Sequence, residues 1–416
     1  MIHILFLAFL SSVVRPDALV RISAKLGDTG TVRILHIGDS HVQGAFLGGE
    51  LRRLFQESRG DAGRGLVFPH RLAGTNGAFD ISWSGKGPWA ASAAVRHDPQ
   101  MTWGMAGWAL ASTDSGRTIA LLPSAKAEPG RLLSTRAWLF GEGVQMDGLG
   151  QPDTCGPSCL AYSFSAQDSF RLHLDGAPAR LDGIILQNGR PGVVWSEAGV
   201  NGLSWQDLLK PSRMWEEMNA WAPDLVIVSL GTNDAFQKGF SGSGFTESVR
   251  ETIRRIRLAA PQADILLTFP PDHALKVRRR KWGDNPRLDL VARRLTDLCE
   301  GESVAGIDLR ELMGGRGSWS SWSACGLMAK DHIHYQAEGY RRQAALLYHA
   351  LMEAVQLPFQ RPIAFHEASQ AETAKFLAQQ DSLVRAQVWA PLKPLSTKAP
   401  KRAKNFRRSH RFRRSR

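Results

Sequence analysis

Val32-Arg33-Ile34-Leu35-His36-Ile37-Gly38-Asp39-Ser40-His41 is a mostly apolar, β-branched run that stops at a glycine and passes at once into polar residues. A short apolar run bounded by Gly reads as a buried strand. Beyond Gly48 the apolar positions Leu51, Leu54 and Phe55 return at helical spacing, so the order is strand, loop, helix. The same order recurs where residues 225–230 meet Gly231, with Val249, Ile253 and Ile256 following at helical spacing. Residues 265–269 end at Pro270-Pro271 ahead of Leu288, Val291, Leu295 and Leu298; residues 304–309 add a strand, and Ala344, Leu347, Leu351 and Val355 mark a last amphipathic helix. Strands alternating with helices predict a mainly parallel sheet covered on both faces.

The texture changes between residues 67 and 190. Short runs such as Thr118-Ile119-Ala120-Leu121-Leu122, Ala137-Trp138-Leu139-Phe140 and Phe170-Arg171-Leu172-His173-Leu174 are separated by Gly, Pro, Asp and Ser. This spacing predicts antiparallel strands, a small β-sandwich inserted into the α/β pattern, which begins before it and resumes after it. Trp83, Trp89, Trp103 and Trp108 lie in this segment. Large aromatics in a sandwich are usually core, with sugar stacking as the other use.

Three polar islands sit at the ends of apolar runs: Gly38-Asp39-Ser40-His41, Gly231-Thr232-Asn233-Asp234 and Asp331-His332-Ile333-His334. Loops at the carboxyl ends of parallel strands are where such sheets place their active sites. A hydroxyl nucleophile needs a base, the base an orienting carboxylate, and a developing oxyanion fixed donors. Ser40, His334, Asp331 and Asn233 fit these roles in turn. Alone, each has a plainer use: Ser40 a helix cap, Asn233 a turn residue, Asp331 a cap beside a surface His. Asp331 and His334 are three apart, which on a helical turn puts both side chains on one side and turns His332 away. A second oxyanion donor is expected in Glu197-Ala198-Gly199-Val200-Asn201-Gly202, at the backbone N–H of Gly202, with Gly199 as the alternative. The N–H of Ser40 completes the set. G-x-S-x-G is absent around Ser40, which disfavours the α/β-hydrolase elbow.

The formal charge of +13 is concentrated at the C-terminus, where residues 393–416 carry eleven Lys or Arg and no acid, leaving +2 for the rest. Such a run reads as a disordered tail suited to an anionic wall polymer or a membrane surface; with no reading-head motif, specific nucleic-acid recognition is not expected. Residues 2–10 are apolar and precede Ser11-Ser12, which fits a signal peptide lacking a basic n-region or a buried lead-in segment. Cys155 and Cys159 are spaced to close a small loop in an oxidising compartment, and Cys299 reads as core. Ligand spacing for zinc is absent, so no metal or other cofactor is expected.

With Ser40, Gly202, Asn233 and the Asp331-x-x-His334 pair in chain order, the sequence resembles the SGNH, or GDSL-like, hydrolases. That resemblance implies a three-layer α/β/α fold with a mainly parallel sheet, metal-free ester hydrolysis, a Ser40–His334–Asp331 triad and an oxyanion hole from Ser40, Gly202 and Asn233. Gly38-Asp39-Ser40-His41-Val42-Gln43, Gly65-Leu66-Val67-Phe68-Pro69 and Gly314-Gly315 are similar to bacterial envelope members related to peptidoglycan O-acetylesterases, in which a β-rich, carbohydrate-module-like domain interrupts the hydrolase. The expected organisation is a split hydrolase domain at 1–66 and 191–356, the insertion at 67–190, and an extension at 357–416 ending in the basic tail. The expected activity is removal of O-acetyl or other short acyl esters from a carbohydrate, in the periplasm or envelope. A lipase, thioesterase or O-acetyltransferase of the same fold is the alternative within the chemistry, and a non-catalytic envelope or polyanion-binding protein the alternative outside it.

Overall fold

A computed structural model describes residues 12–356, apart from 97–100, 113, 177–178 and 279–280. The signal-like segment 2–10 and the extension 357–416 with its basic tail lie outside the described residues.

The central sheet has six strands in the order Val13–Val14, Ala305–Asp308, Asp264–Phe269, Leu225–Ser229, Thr31–Gly38, Gly192–Gly199. Val13–Val14 is antiparallel to its neighbour; the other pairings are parallel. Side chains alternate along Thr31–Gly38 as a pleated strand requires. Val32 and Ile34 pack with Leu51, Phe55, Leu347 and Leu351 of helices Phe46–Arg59 and Ala337–Gln356. Leu35 and Ile37 pack with Met218, Val249, Ile253 and Leu295 of the helices on the other face. The result is the expected three-layer α/β/α arrangement.

Register positions the chemistry. Gly38 is paired with both Gly199 and Ser229, so three strand ends lie side by side. The segments that follow them, starting at Asp39, Val200 and Leu230, therefore emerge together at one edge of the sheet.

Strands between Gly65 and Gln187 form two further sheets, both antiparallel. The larger has the order Asp153–Gly156, Cys159–Gln167, Ser134–Glu142, Ala179–Gln187, Trp108–Ser112, Ala90–Ala93, with Gly65–Val67 also on Ala179–Gln187. The smaller has the order Ile81–Gly85, Arg117–Pro123, Phe170–Leu174, Val144–Met146. Ala137, Leu139, Ile184 and Leu186 face the smaller sheet, against Ile119, Leu121, Leu172 and Leu174. Trp138, Phe140, Trp108 and Ile185 face the other way, into the same cluster as Leu35 and Met218. The larger sheet is thus covered on both faces, and burying a side chain the size of Phe140 contributes about 1.5–3 kcal/mol. Trp103 and Trp108 are buried, and Trp83 and Trp89 pack as partly buried residues against the core, so these four tryptophans serve packing rather than an open sugar face. A disulfide joins Cys155 to Cys159, and Cys299 is buried.

Where this region meets the helix Phe46–Arg59, a charged cluster is buried. Asp80 accepts from Arg64 through Nε at 2.6 Å and Nη2 at 2.9 Å, and from Arg52 at 3.1 Å. Glu197 lies 3.5 Å from the second Arg52 nitrogen, giving two cations and two carboxylates in one desolvated site. Burial alone pushes the Asp80 carboxyl up, but the two guanidinium groups more than offset this and hold it below the usual carboxylate range.

Candidate active site

Ser40 opens a four-residue helix, Ser40–Gln43, directly off its strand. Asp39 caps that helix by accepting the His41 N–H at 2.9 Å. Gly38 permits the sharp departure: a Cβ there would stand 2.3 Å from Val42 Cγ2 and 3.2 Å from the Ser229 carbonyl.

Ser40 Oγ lies 2.8 Å from His334 Nε2, and His334 Nδ1 lies 2.7 Å from Asp331 Oδ2. The other carboxylate oxygen, Oδ1, accepts the N–H groups of Ile333 and His334, each at 3.0 Å. One oxygen of Asp331 thus shapes the loop while the other aims the ring. Burial works to raise the Asp331 pKa, but hydrogen bonds from the His334 ring and the two backbone N–H groups outweigh it and leave the carboxyl below its ordinary value. An anionic Asp331 fixes the proton on Nδ1 and turns the Nε2 lone pair toward Ser40.

The backbone here departs from the helical turn expected from the spacing. It is a tight turn closed by the Asp331 side chain, with His332 in the left-handed region at φ 53°. His332 does face away: its Nδ1 is 3.0 Å from Ser323 Oγ, and its ring sits against Trp282 and Trp319.

Asn233 follows Gly231, whose φ of 124° suits only glycine. Its Nδ2 donates to the Leu203 carbonyl at 3.0 Å and lies 3.3 Å from Asp39 Oδ2. The first bond orients the amide toward the Ser40 helix. The second exceeds the usual 2.7–3.2 Å range and leaves that hydrogen loosely held. Gly202 has φ 85° with open space where a Cβ would stand, and among the described residues its N–H meets no protein acceptor. Gly199 serves another purpose: a Cβ there would fall 2.2 Å from the Gln43 nitrogen, so its absence lets the strand and the Ser40 helix touch.

Two residues that sequence reasoning passed over organise this rim. Gln43 Nε2 donates to Thr75 Oγ1 at 2.8 Å and the Asn76 carbonyl at 2.7 Å, while Gln43 Oε1 accepts the Asn201 N–H at 2.5 Å. One carboxamide therefore joins the Ser40 helix, the residue before Gly202 and a loop ahead of the small sheet. His41 stands beside His334, their ring centroids 5.4 Å apart, with its Nδ1 3.1 Å from Tyr340 Oη. Burial lowers its pKa to about 3, with His334 and His273 adding to the effect, so His41 stays neutral. Burial also raises the Asp39 carboxyl to about 7. The signal for Gln43 was present in the run Gly38-Asp39-Ser40-His41-Val42-Gln43, but its partners are 32 or more residues distant.

Residues 167–342 match the model of the GDSL-like lipase/acylhydrolase family. That span contains Gly202, Asn233, Asp331 and His334, whereas Ser40 reaches them through the fold. A solved structure described as a peptidoglycan O-acetylesterase in action is 26% identical, with TM-score 0.66, covering 82% of this chain and 96% of that one. An acetyl xylan esterase structure is 20% identical over 37% of this chain and 78% of that one, with TM-score 0.31. An aryl esterase from M. smegmatis is 16% identical over 39% and 78%, with TM-score 0.28. No curated protein matches the chain. With residues 167–342 matching the GDSL-like lipase/acylhydrolase model, on a fold shared along nearly the whole of an esterase, the chain is a hydrolase of ester bonds.

Proposed function

We propose that the protein removes O-acetyl groups from a glycan, with O-acetylated peptidoglycan as its substrate, through a Ser40–His334–Asp331 triad. The observation that carries the chemistry is the continuous pair of contacts from Ser40 Oγ to His334 Nε2 at 2.8 Å and from His334 Nδ1 to Asp331 at 2.7 Å. Support for the substrate is the likeness to the peptidoglycan O-acetylesterase over 96% of that chain. The same reading puts the protein in the bacterial envelope, in keeping with the Cys155–Cys159 disulfide.

In the first half-reaction His334 Nε2 takes the proton from Ser40 Oγ as that oxygen bonds to the acetyl carbon. The carbonyl electron pair moves onto oxygen, where the N–H groups of Ser40 and Gly202 and the loosely held Asn233 amide hydrogen receive it. Asp331 stabilises the imidazolium. Collapse breaks the bond to the sugar oxygen, which takes the proton from His334 and leaves an acetyl ester on Ser40. Water then repeats the sequence, releasing acetate and restoring Ser40.

Asn233→Ala tests the oxyanion assignment. Loss of one such donor costs about 10²–10³ in kcat, so the variant is expected to fold yet be severely slowed on an aryl acetate. Wild-type turnover would remove Asn233 from the oxyanion site. The substrate is tested by measuring acid released from O-acetylated peptidoglycan, acetylated xylan and aryl esters of graded acyl length, with Ser40→Ala as control. Acetate release fastest from peptidoglycan supports the reading, and preference for long acyl chains overturns it.

A further inference from the structure

Phe46 and Phe79 are 40% and 46% exposed, and they are the only phenylalanines among the large apolar residues left open to water in the described chain. They stack on each other, centroids 5.6 Å apart and planes at 27°. Phe46 opens the helix Phe46–Arg59, a few residues beyond Ser40, whereas Phe79 lies on the loop that leads into the small antiparallel sheet. From this pair a chain of contacts runs inward. Phe46 stacks on Tyr340 with centroids 6.3 Å apart, Tyr340 Oη is 3.1 Å from His41 Nδ1, and the His41 ring lies 5.4 Å from that of His334.

The loop carrying Phe79 is fixed at both ends. Thr75 and Asn76 are held by Gln43, and Asn76 Oδ1 also accepts from Asn201 Nδ2 at 2.7 Å. At the far end Asp80 is locked by Arg64 and Arg52. A flexible loop would fold an apolar ring away from water, but this one is anchored so that Phe79 stays out. Single exposed apolar residues are ordinary; two stacked aromatic rings linked through Tyr340 and His41 to His334 form a patch with a use.

We propose that Phe46 and Phe79 form the platform on which the pyranose ring bearing the acyl ester rests, flanked by the carboxamides of Asn76 and Asn201. This rests on the glycan-esterase reading above and names the surface that recognises the sugar. A pyranose presents C–H groups on its faces and hydroxyls around its rim, which matches flat rings bordered by amides. A long acyl chain would instead call for an enclosed apolar groove, and these rings are open to water, with Phe79 on the same loop as Asn76. The platform is composite: one ring comes from the α/β part and the other from the loop beside the β-rich part, so the glycan surface is complete only when both are in place.

Phe46→Ala, Phe79→Ala and Phe79→Trp test this in two assays. The first compares kcat/KM on an O-acetylated glycan with kcat/KM on an aryl acetate. Both alanine variants are expected to lower that ratio about tenfold, mainly through KM, and Phe79→Trp to restore it. Equal losses on both substrates, or losses that grow with acyl-chain length, would overturn the platform. The second measures binding of de-O-acetylated peptidoglycan strands, and of xylotetraose, to Ser40→Ala protein with and without Phe79→Ala. Binding that depends on Phe79 supports the platform even if wild-type protein releases no acetate from any glycan, in which case only the reading of the substrate fails. Binding indifferent to Phe79, or absent for both sugars, overturns the platform whatever the activity.

Discussion

Ser40→Ala is expected to lower kcat on an aryl acetate by about a millionfold, the scale on which serine hydrolases lose activity when the nucleophile or its base is removed. The cause is the loss of the covalent route. What remains is binding and the oxyanion donors, worth about 10³–10⁴ over water. His334→Ala is expected to fall as far, because among the described residues Ser40 Oγ meets no base other than His334. His41 is the nearest substitute, yet its Nδ1 is engaged by Tyr340 and burial lowers its pKa to about 3. Since the two groups act as one unit, the double variant should be no slower than either single one. Steady-state kinetics on the three proteins checks this, and additive losses would mean that Ser40 and His334 work separately.

Asp80→Asn is expected to cost about 3–5 kcal/mol of stability, measured by urea unfolding, because it leaves two buried guanidinium groups with one carboxylate between them. Arg52, Arg64 and Asp80 are each less than 7% exposed, so water does little to screen the loss. The pH dependence has a definite sign. Asp80 titrates lower in the folded protein than its unfolded value of about 3.9, so its stabilisation is fully present above that pH and is lost as pH falls through the depressed folded value. The difference between wild type and variant should therefore be flat from neutral pH down to about 5 and shrink only in stronger acid. A difference under about 1 kcal/mol at neutral pH would show that the cluster is hydrated in solution. Because Asp80 also ends the loop carrying Phe79, the same variant is expected to weaken glycan turnover more than aryl acetate turnover.

Much of the site was legible because Ser40, Gly202 and Asn233 follow apolar runs that become strands, whereas Asp331 and His334 come after the helix Ser318–Ala324 and a loop, not at a strand end as expected. Once strands alternate with helices, the pairing is parallel, and the register of Gly38 with Gly199 and Ser229 brings the first two islands and the glycine loop to one edge. Spacing also carried the Asp331 and His334 pairing, though for a different reason from the one it suggested: a carboxylate closes a turn, and no helix is involved. The β-rich region was readable as strands, and the unbroken apolar run Ala137-Trp138-Leu139-Phe140 foreshadowed a sheet covered on both faces. What a linear pattern does not carry is long-range packing. Nothing in the sequence distinguishes Trp103 and Trp108, which are buried, from Phe46 and Phe79, which are exposed. Nor does it reveal that Gln43 meets Asn76 and Asn201, or that Asp80 finds Arg64 and Arg52, because those partners are set by how the loop folds back.

The claim that Ser40 is a nucleophile activated by His334 is tested most directly by covalent trapping. Wild-type protein and His334→Ala would be treated with an aryl fluorophosphonate, digested, and mapped by mass spectrometry. The account predicts one adduct on wild type, on the peptide containing Ser40, and a labelling rate at least about a thousandfold lower in His334→Ala. An adduct on another residue, or equal rates in the two proteins, would contradict it.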